Sequence, residues 1–349
     1  MATAQPPVAE RPPDGAPGRV GAKDAVSLPS VVQAPAGALE PAPLMACGAP
    51  PRGRAFWLHS DDGVRLRLGY WPGSAGHVLI LPGRTEWIEK YGLVVAELAR
   101  AGWGALVLDW RGQGLSDRQA ADPLLGHVRD FAEYQLDMAA AMEAAQALGV
   151  TPRAMPILAH SMGGCILLRA LVDGWRPPSV AMCAPMLGLP QNAALRAGVA
   201  AMARLSRPLG RDLAYVPGTG PDFGLRSTPF DLNELTRDGA QFARMQAQLV
   251  AEPALALGGP SLRWAGSALA EMAALARRPS PDVPALIARA GNERIVSNEA
   301  IRARGAAWPG AEVVEYPGAE HELLMERPAV RGDLLARVLA LFGRKARDS

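Results

Sequence analysis

The sequence predicts a mostly parallel α/β sheet of about eight strands, flanked by helices on both faces and interrupted by an inserted helical cap. Two patterns carry this expectation. Short apolar runs of strand length alternate with segments whose apolar residues recur at helical spacing, the signature of strand-helix-strand units. One long interval, 190–279, then carries helical stretches and loops but no core strand. With 349 residues, 49% of them hydrophobic, the chain can bury a core of that size.

In chain order, residues 1–54 are dominated by Pro, Ala and Gly without period and are expected to be disordered. Met45 within them is an alternative natural start. Phe56 to Leu58 and Val64 to Tyr70 read as a hairpin turned at Asp61-Asp62-Gly63, a strong turn signal. Strands follow at 78–81, 105–108, 156–159, 180–183, 284–288 and 312–316, with helices at 88–100, 131–148 and 165–172 between them. The core therefore occupies 55–189 and 280–349. The cap holds helices at 193–205, 238–250 and 262–276, with a Gly/Pro-rich loop from Val216 to Asp222. Caps of this kind cover ligands.

Composition excludes several function classes. Thirty-six basic against 34 acidic residues give a net charge of +2, and no Lys/Arg run is dense enough to follow a phosphate backbone, so nucleic acid is not an expected partner. No apolar run approaches the roughly 18 residues of a membrane span. Cys47, Cys165 and Cys183 are odd in number and share no C-x-x-C spacing, which points to a reducing, cytoplasmic setting rather than a disulfide framework or metal site. Leu44-Met-Ala-Cys47 has the outline of a lipoprotein cleavage site, but Glu40 and the surrounding prolines spoil the apolar segment that such a signal requires.

The sharpest motif is Ile157-Leu-Ala-His160-Ser161-Met162-Gly163-Gly164, a strand running into a serine and then into a helix. It has the form of a nucleophile elbow, in which small residues two before and two after the serine permit a tight turn. Ala159 stands where glycine is usual. A serine hydroxyl needs a base, and the chain has five histidines. His59 and His77 lie at early strands, His127 precedes a long helix, and His160 should point to the other side of the turn. His321 remains, in the loop after the last strand, at the carboxyl edge of the sheet where ligands bind.

An acid is needed to orient that base. Glu293, after the strand at 284–288, gives the chain order serine, acid, histidine; a surface pairing with Arg294 is its structural alternative. Asp282 precedes the strand, at the wrong end of the sheet, while Glu320 and Glu322 adjoin His321 too closely. The oxyanion calls for backbone N–H groups from Met162 and from Arg84, in the loop after the strand at 78–81; a simple surface cation is the competing reading of Arg84.

With these motifs placed, the chain from about Ala55 to Lys345 resembles the lysophospholipase and monoacylglycerol lipase branch of the α/β-hydrolase superfamily, in particular bacterial lysophospholipases. Pro82-Gly-Arg-Thr-Glu86 resembles its oxyanion loop, Asp109-Trp-Arg-Gly-Gln-Gly-Leu-Ser-Asp117 its Asp-x-Arg-Gly turn, and 159–164 its elbow. Residues 290–298 with 320–322 resemble its acid and base segments. Asn233 to Asp238 and Gly258 to Trp264 are similar to parts of its cap. Three departures are Ala159, Glu293 in place of the commoner aspartate, and Trp87 where many relatives carry histidine. The turn at 111–116 reads as structural.

The resemblance implies a Ser-His-acid hydrolase of glycerolipid esters that works without metal or organic cofactor. Met202, Met245 and Trp264 are candidates for an apolar groove that would take an acyl chain, with Leu205, Leu249 and Met272 beside them, although apolar residues at helical spacing are normally just buried. An aminopeptidase or amidase with the same triad is the alternative within the enzyme class; a non-catalytic binding protein on the same fold is the alternative outside it. Peripheral contact with a membrane is compatible with the sequence, but no basic amphipathic helix argues strongly for it. No protein partner is implied.

Overall fold

The computed structural model describes residues 39–222 and 224–344. Its centre is a nine-stranded sheet comprising β1 (Glu40–Ala42), β2 (Arg54–His59), β3 (Arg65–Trp71), β4 (Gly76–Leu81), β5 (Trp103–Asp109), β6 (Ile157–His160), β7 (Val180–Cys183), β8 (Ala285–Ala290) and β9 (Glu312–Tyr316). The spatial order is β1-β2-β3-β5-β4-β6-β7-β8-β9. From β1 to β5 neighbours are antiparallel; from β5 to β9 they are parallel.

The central parallel strands are short runs rich in Val, Ile, Leu, Ala and Met because both faces are covered, whereas the edge strand β9, Glu-Val-Val-Glu-Tyr, is largely exposed. Along β4, Val78 and Ile80 enter one core layer, with α1 (Gly92–Arg100) and α9 (Pro328–Arg344). Leu79 and Leu81 enter the other, with α2 (Tyr134–Ala147), α3 (Met162–Val172) and α8 (Asn298–Ala306). The expected hairpin is β2-β3, closed by Gly63 N–H donating to Ser60 O at 2.8 Å and Ser60 N–H to Val64 O at 3.0 Å.

One expectation is corrected. The segment 1–54 is not wholly without structure: β1 pairs with β2, and the Cys47 side chain is buried against the layer around Trp71 and Ile88. The β1 residues Glu40-Pro-Ala do not look like a strand because they sit at the sheet edge, where hydrogen bonds to one neighbour suffice and apolar alternation is not demanded. The rest of that expectation, residues 1–38, lies outside the described residues.

Between β7 and β8 the chain forms α4 (Ala193–Ser206), α5 (Gly224–Ser227), α6 (Gly239–Ala251) and α7 (Leu262–Ala276). Asn192, Asp238 and Ser261 cap α4, α6 and α7 by accepting from Leu195, Gln241 and Trp264 N–H, the role their short polar side chains favour. Among the described residues no helix is long and apolar enough to cross a membrane.

The strand order reverses at β4, whose chain successors β5 and β6 lie on opposite sides of it. Loops leaving the carboxyl ends of β4 and β6 thus diverge and open a crevice, the usual ligand position in such sheets. The Pro82–Glu86 loop and Ser161 stand there.

Candidate active site

Ser161 ends β6 with φ 49° and ψ −115°, a backbone conformation that costs a non-glycine residue about 1–3 kcal/mol. Hydrogen bonds hold it: its N–H donates to Cys183 O at 3.0 Å, and its carbonyl accepts from Gly164 and Met186, both at 2.9 Å. The turn is tight enough that a Cβ on Gly163 would overlap the Leu81 carbonyl. Ala159, by contrast, lies inside β6 opposite Leu81 and Met182 and its methyl group is buried without conflict. Met162 is the first residue of α3, so its N–H has no preceding turn to bond and points out of the helix N-terminus.

His321 and Glu293 arrive from the loops after β9 and β8. His321 Nε2 lies 3.0 Å from Ser161 Oγ, and its Nδ1 lies 2.7 Å from Glu293 Oε2. An ionised carboxylate only accepts, so Nδ1 carries the proton and Nε2 is left to accept from the serine hydroxyl. Glu293 is fixed in turn, Oε1 accepting from Ile295 N–H at 2.8 Å and Val296 N–H at 3.0 Å. Burial pushes its pKa up, but the bonds from His321 and these amides outweigh that and hold it below the usual glutamate range. Arg294 does not pair with Glu293; it reaches Glu234 and Glu320. Asp282 is exposed ahead of β8.

The segment before α6 braces the histidine loop. Glu322 N–H donates to Leu235 O at 2.8 Å, and the buried Thr236 hydroxyl donates to Met325 O at 2.8 Å. Arg237 pairs with Glu320 at 2.7 Å.

Behind Ser161 and His321 lies a buried polar network that sequence reasoning missed. Lys90 Nζ stands 2.5 Å from both Glu86 Oε1 and Glu322 Oε1. Glu86 Oε2 also accepts from the Tyr91 hydroxyl at 2.6 Å and from Gly83 N–H. Burial alone would raise the Glu86 pKa, yet Lys90, His160 and the hydrogen bonds bring it down to about 2. Glu322, sharing the same ammonium, is pushed up by burial; Glu86, with three donors, is the firmly ionised member. Glu86, His160 and Glu322 are close enough together to hold a metal ion, but the Lys90 ammonium already bridges the two carboxylates.

His160 does not bond Ser161. Its Nδ1 lies 3.0 Å from Cys183 O, and its ring centroid is 4.8 Å from that of His321. It therefore turns away from the hydroxyl yet stays beside His321, and burial, partly offset by Glu86, lowers its pKa to about 4.

The loop after β4 packs onto the serine: a Cβ on Gly83 would stand 3.1 Å from Ser161 Cβ. Gln113 clamps the loop from the Asp109–Asp117 turn, its amide donating to Gly83 O at 2.7 Å and its oxygen accepting from Thr85 N–H at 3.3 Å. Elsewhere that turn is a scaffold. Arg111 pairs with Asp137, Asp62 and Glu133, and Ser116 Oγ donates to Asp109 O. Arg84 is not a surface cation; its guanidinium stacks 5.2 Å from the Trp264 ring centre and donates to Gly258 O at 2.7 Å.

The acyl-groove candidates divide. Met245 is fully buried in the layer with α1 and α9, and Trp264 is buried against Phe131 and Tyr134. Leu249 and Met272 are buried as well. Met202 and Leu205 are instead 42% and 65% exposed: α4 packs on α7 with Ala203 so close to Gly266 that a Cβ on that glycine would overlap it, which leaves these two side chains outward.

Residues 73–328 match the family model described as serine aminopeptidase, S33. The chain is 35% identical to lysophospholipase L2 of Escherichia coli (strain K12) over 281 residues, 76% of this chain and 80% of that protein. It is 30% identical to the probable lysophospholipase L2 of Haemophilus influenzae over 263 residues, 75% and 82% of the two chains. Among solved structures, the monoglyceride lipase of Saccharomyces cerevisiae aligns with a TM-score of 0.63 at 20% identity, covering 83% of this chain and 94% of that one. The monoacylglycerol lipase of Paleococcus ferrophilus aligns with a TM-score of 0.59 at 18% identity, covering 80% and 98%. By likeness over three quarters of its length and by fold, this chain belongs to the serine aminopeptidase S33 family of α/β-hydrolases, among its lysophospholipase-like carboxylic-ester hydrolases.

Proposed function

We propose that this protein removes the acyl chain of a lysophospholipid through an acyl-enzyme on Ser161. The observation that carries the reading is the unbroken chain of contacts from Ser161 Oγ through His321 to Glu293, at 3.0 and 2.7 Å. Ser161 Oγ attacks the ester carbonyl while His321 Nε2 takes its proton, and Glu293 stabilises the resulting imidazolium. The oxyanion is received by the N–H groups of Met162 and Arg84. His321 returns the proton to the departing glycerol oxygen; water then attacks the acyl-enzyme by the same route and fatty acid leaves. The head group is favoured over a plain glycerol by the similarity to lysophospholipases L2.

Contact with a lipid surface is part of this proposal. Leu195, Met202, Leu205 and Leu209 form an outward stripe along and just past α4, from 42% to 70% exposed. Arg196, Arg204, Arg207 and Arg211 flank it, and no acidic residue occurs from 190 to 211. An apolar stripe with a cationic border suits an anionic interface.

The family model's description raises aminopeptidase activity as a second reading. That reaction needs a carboxylate to hold the substrate ammonium, whereas the charged side chain on the oxyanion loop facing α7 is the Arg84 guanidinium. The test is fatty-acid release from a lysophospholipid, a monoacylglycerol and a p-nitrophenyl ester, beside an amino-acid p-nitroanilide. We expect ester cleavage and fluorophosphonate labelling in the wild type and neither in Ser161→Ala. Cleavage of the anilide alone would replace the esterase reading.

A further inference from the structure

The Arg84 side chain has no part in the chemistry just described, which uses only its backbone N–H. Its surroundings are specific. Two loops cross over it: Gly258 N–H donates to Leu124 O at 2.7 Å, Gly126 N–H to Gly259 O at 3.0 Å, and Ser261 N–H to Gly126 O at 2.9 Å. His127 Nδ1, 2.8 Å from Ser261 Oγ, fastens the same crossing. The guanidinium fits so closely beneath it that a Cβ on Gly126 would overlap Nη2.

Within this enclosure the cation is poorly compensated. Nη2 donates to Gly258 O, the ring of Trp264 covers the planar face, and Nε is buried with no hydrogen-bond partner among the described residues. No carboxylate forms an ion pair with it among those residues; the groups that oppose the effect of its burial are the phenols of Tyr134 and Tyr215. Burial pushes both phenols up, Tyr215 to about 12, so both are neutral near pH 7. Arg67 and Arg111 differ, having Glu89 with Asp109 and Asp62 with Glu133 and Asp137 respectively. The buried Arg304 also has no carboxylate partner among the described residues, but it lies away from Ser161 and its donors are spread over Arg278 O, Leu275 O and Ser280 Oγ. A sequestered charge without an opposite charge is costly, and the Arg84 pKa is lowered to about 10 accordingly. Yet Arg84 as a whole remains half-buried rather than sealed, and its loop touches Ser161.

We infer that the Arg84 guanidinium is the receptor for an anionic oxygen group of the bound lipid, the phosphate of the lysophospholipid head group, and that it sets the preference for that substrate over a neutral monoacylglycerol. The inference rests on the ester-hydrolase reading above and deepens it. With Nη2 engaged by Gly258 O and Nε buried, Nη1, which makes no hydrogen bond among the described residues, is the donor left for a phosphate oxygen, a charge-assisted bond that a guanidinium favours. The three-methylene stem sets that donor apart from the oxyanion amide of the same residue, so ester and phosphate can be held by one loop.

The test compares wild type, Arg84→Gln and Arg84→Lys on 1-palmitoyl lysophosphatidylcholine and 1-palmitoylglycerol in the same detergent. Loosening of the loop lowers both substrates alike, so the ratio of their kcat/KM values isolates the head. We expect Arg84→Gln to reduce the lysophospholipid-to-monoacylglycerol ratio by roughly tenfold or more, the usual worth of a charge-assisted hydrogen bond, and Arg84→Lys to fall between. A ratio unchanged in both variants overturns the inference.

A second arm measures binding of glycerophosphocholine and of decanoate to Ser161→Ala protein, with and without Arg84→Gln. Weakening of glycerophosphocholine alone supports a head-group receptor. Weakening of decanoate alone assigns the guanidinium to the product carboxylate and overturns it. Because no turnover is involved, this arm reads Arg84 even if Ser161 proves not to be the nucleophile, a failure that the labelling experiment detects separately.

Discussion

At the scale of single residues, the position most open to test is Glu293. It accepts three hydrogen bonds, one from His321 and two from backbone N–H groups, through both of its oxygens, so replacing either oxygen by an NH2 group sets donor against donor. Glu293→Gln offers an amide N–H that competes with the Nδ1 proton and favours the wrong tautomer of His321. We expect kcat on p-nitrophenyl butyrate to fall by roughly three orders of magnitude or more with little change in KM. Glu293→Asp keeps the charge but is one methylene too short to satisfy His321 and both amides at once, so a milder loss, about tenfold to a hundredfold, is expected. Equal losses in the two variants would mean that position rather than charge governs the acid. The residues proposed to bear the chemistry were legible because chain order and strand ends constrain them. Gln113 was not: a glutamine in a Gly-rich turn has no period or charge to distinguish it, and only the fold brings it to the Gly83 carbonyl. Its clamp predicts that Gln113→Leu lowers kcat by about tenfold to a hundredfold while near-UV circular dichroism stays native, since an oxyanion donor 1 Å out of place is poorly used.

At the scale of elements, every predicted parallel strand is present, the central ones because a doubly covered sheet demands continuous apolar runs, which few other structures produce; the edge strand β9 is largely exposed. Three of the helices between β7 and β8 were legible for a different reason, their 3.6-residue spacing; the four-residue α5 was not, being too short to show a period. What the spacing did not reveal is the direction an apolar stripe faces. Leu195, Met202 and Leu205 repeat at the intervals of a buried seam, yet α4 meets α7 where the small Ala203 lies against Gly266 and leaves that stripe outside. Met245 obeys the same periodicity and is buried. Spacing defines a face, and only the partner element decides whether it is covered. The exposed stripe predicts that Met202→Ser with Leu205→Ser weakens co-sedimentation with phosphatidylglycerol vesicles by about tenfold, since each removes apolar area from the interface. Binding that persists at 0.5 M salt in the wild type and is lost in the double variant would identify the stripe, rather than the arginines, as the main contributor.

At the scale of the whole molecule, the Glu86–Lys90–Glu322 network joins parts of the chain that are far apart in sequence: the loop after β4, the helical turn before α1, and the loop bearing His321. No local pattern could announce it, because a lysine four residues after a glutamate is ordinarily a solvated helix pair, and burial is what changes its meaning. Removing Glu86 leaves Lys90 with Glu322 as its one carboxylate and gives the Tyr91 hydroxyl and Gly83 N–H a neutral acceptor in place of a charged one, so Glu86→Gln should cost about 1–3 kcal/mol of stability near neutral pH. The pH dependence follows from the sign of the shift. The folded-state pKa of Glu86 lies near 2, below its ordinary value of 4.5, so the folded state binds that proton less readily than the unfolded chain. Its contribution is complete above about pH 4.5 and declines as pH falls toward about 2. Urea unfolding of wild type and Glu86→Gln at pH 7, 5, 4 and 3 should therefore show a free-energy gap that is level from 7 to 5 and narrows below. A gap that stays constant down to pH 3 would mean that Glu86 stabilises through shape and hydrogen bonding alone, and that its charge, held against Lys90, contributes nothing to keeping the oxyanion loop and the histidine loop together.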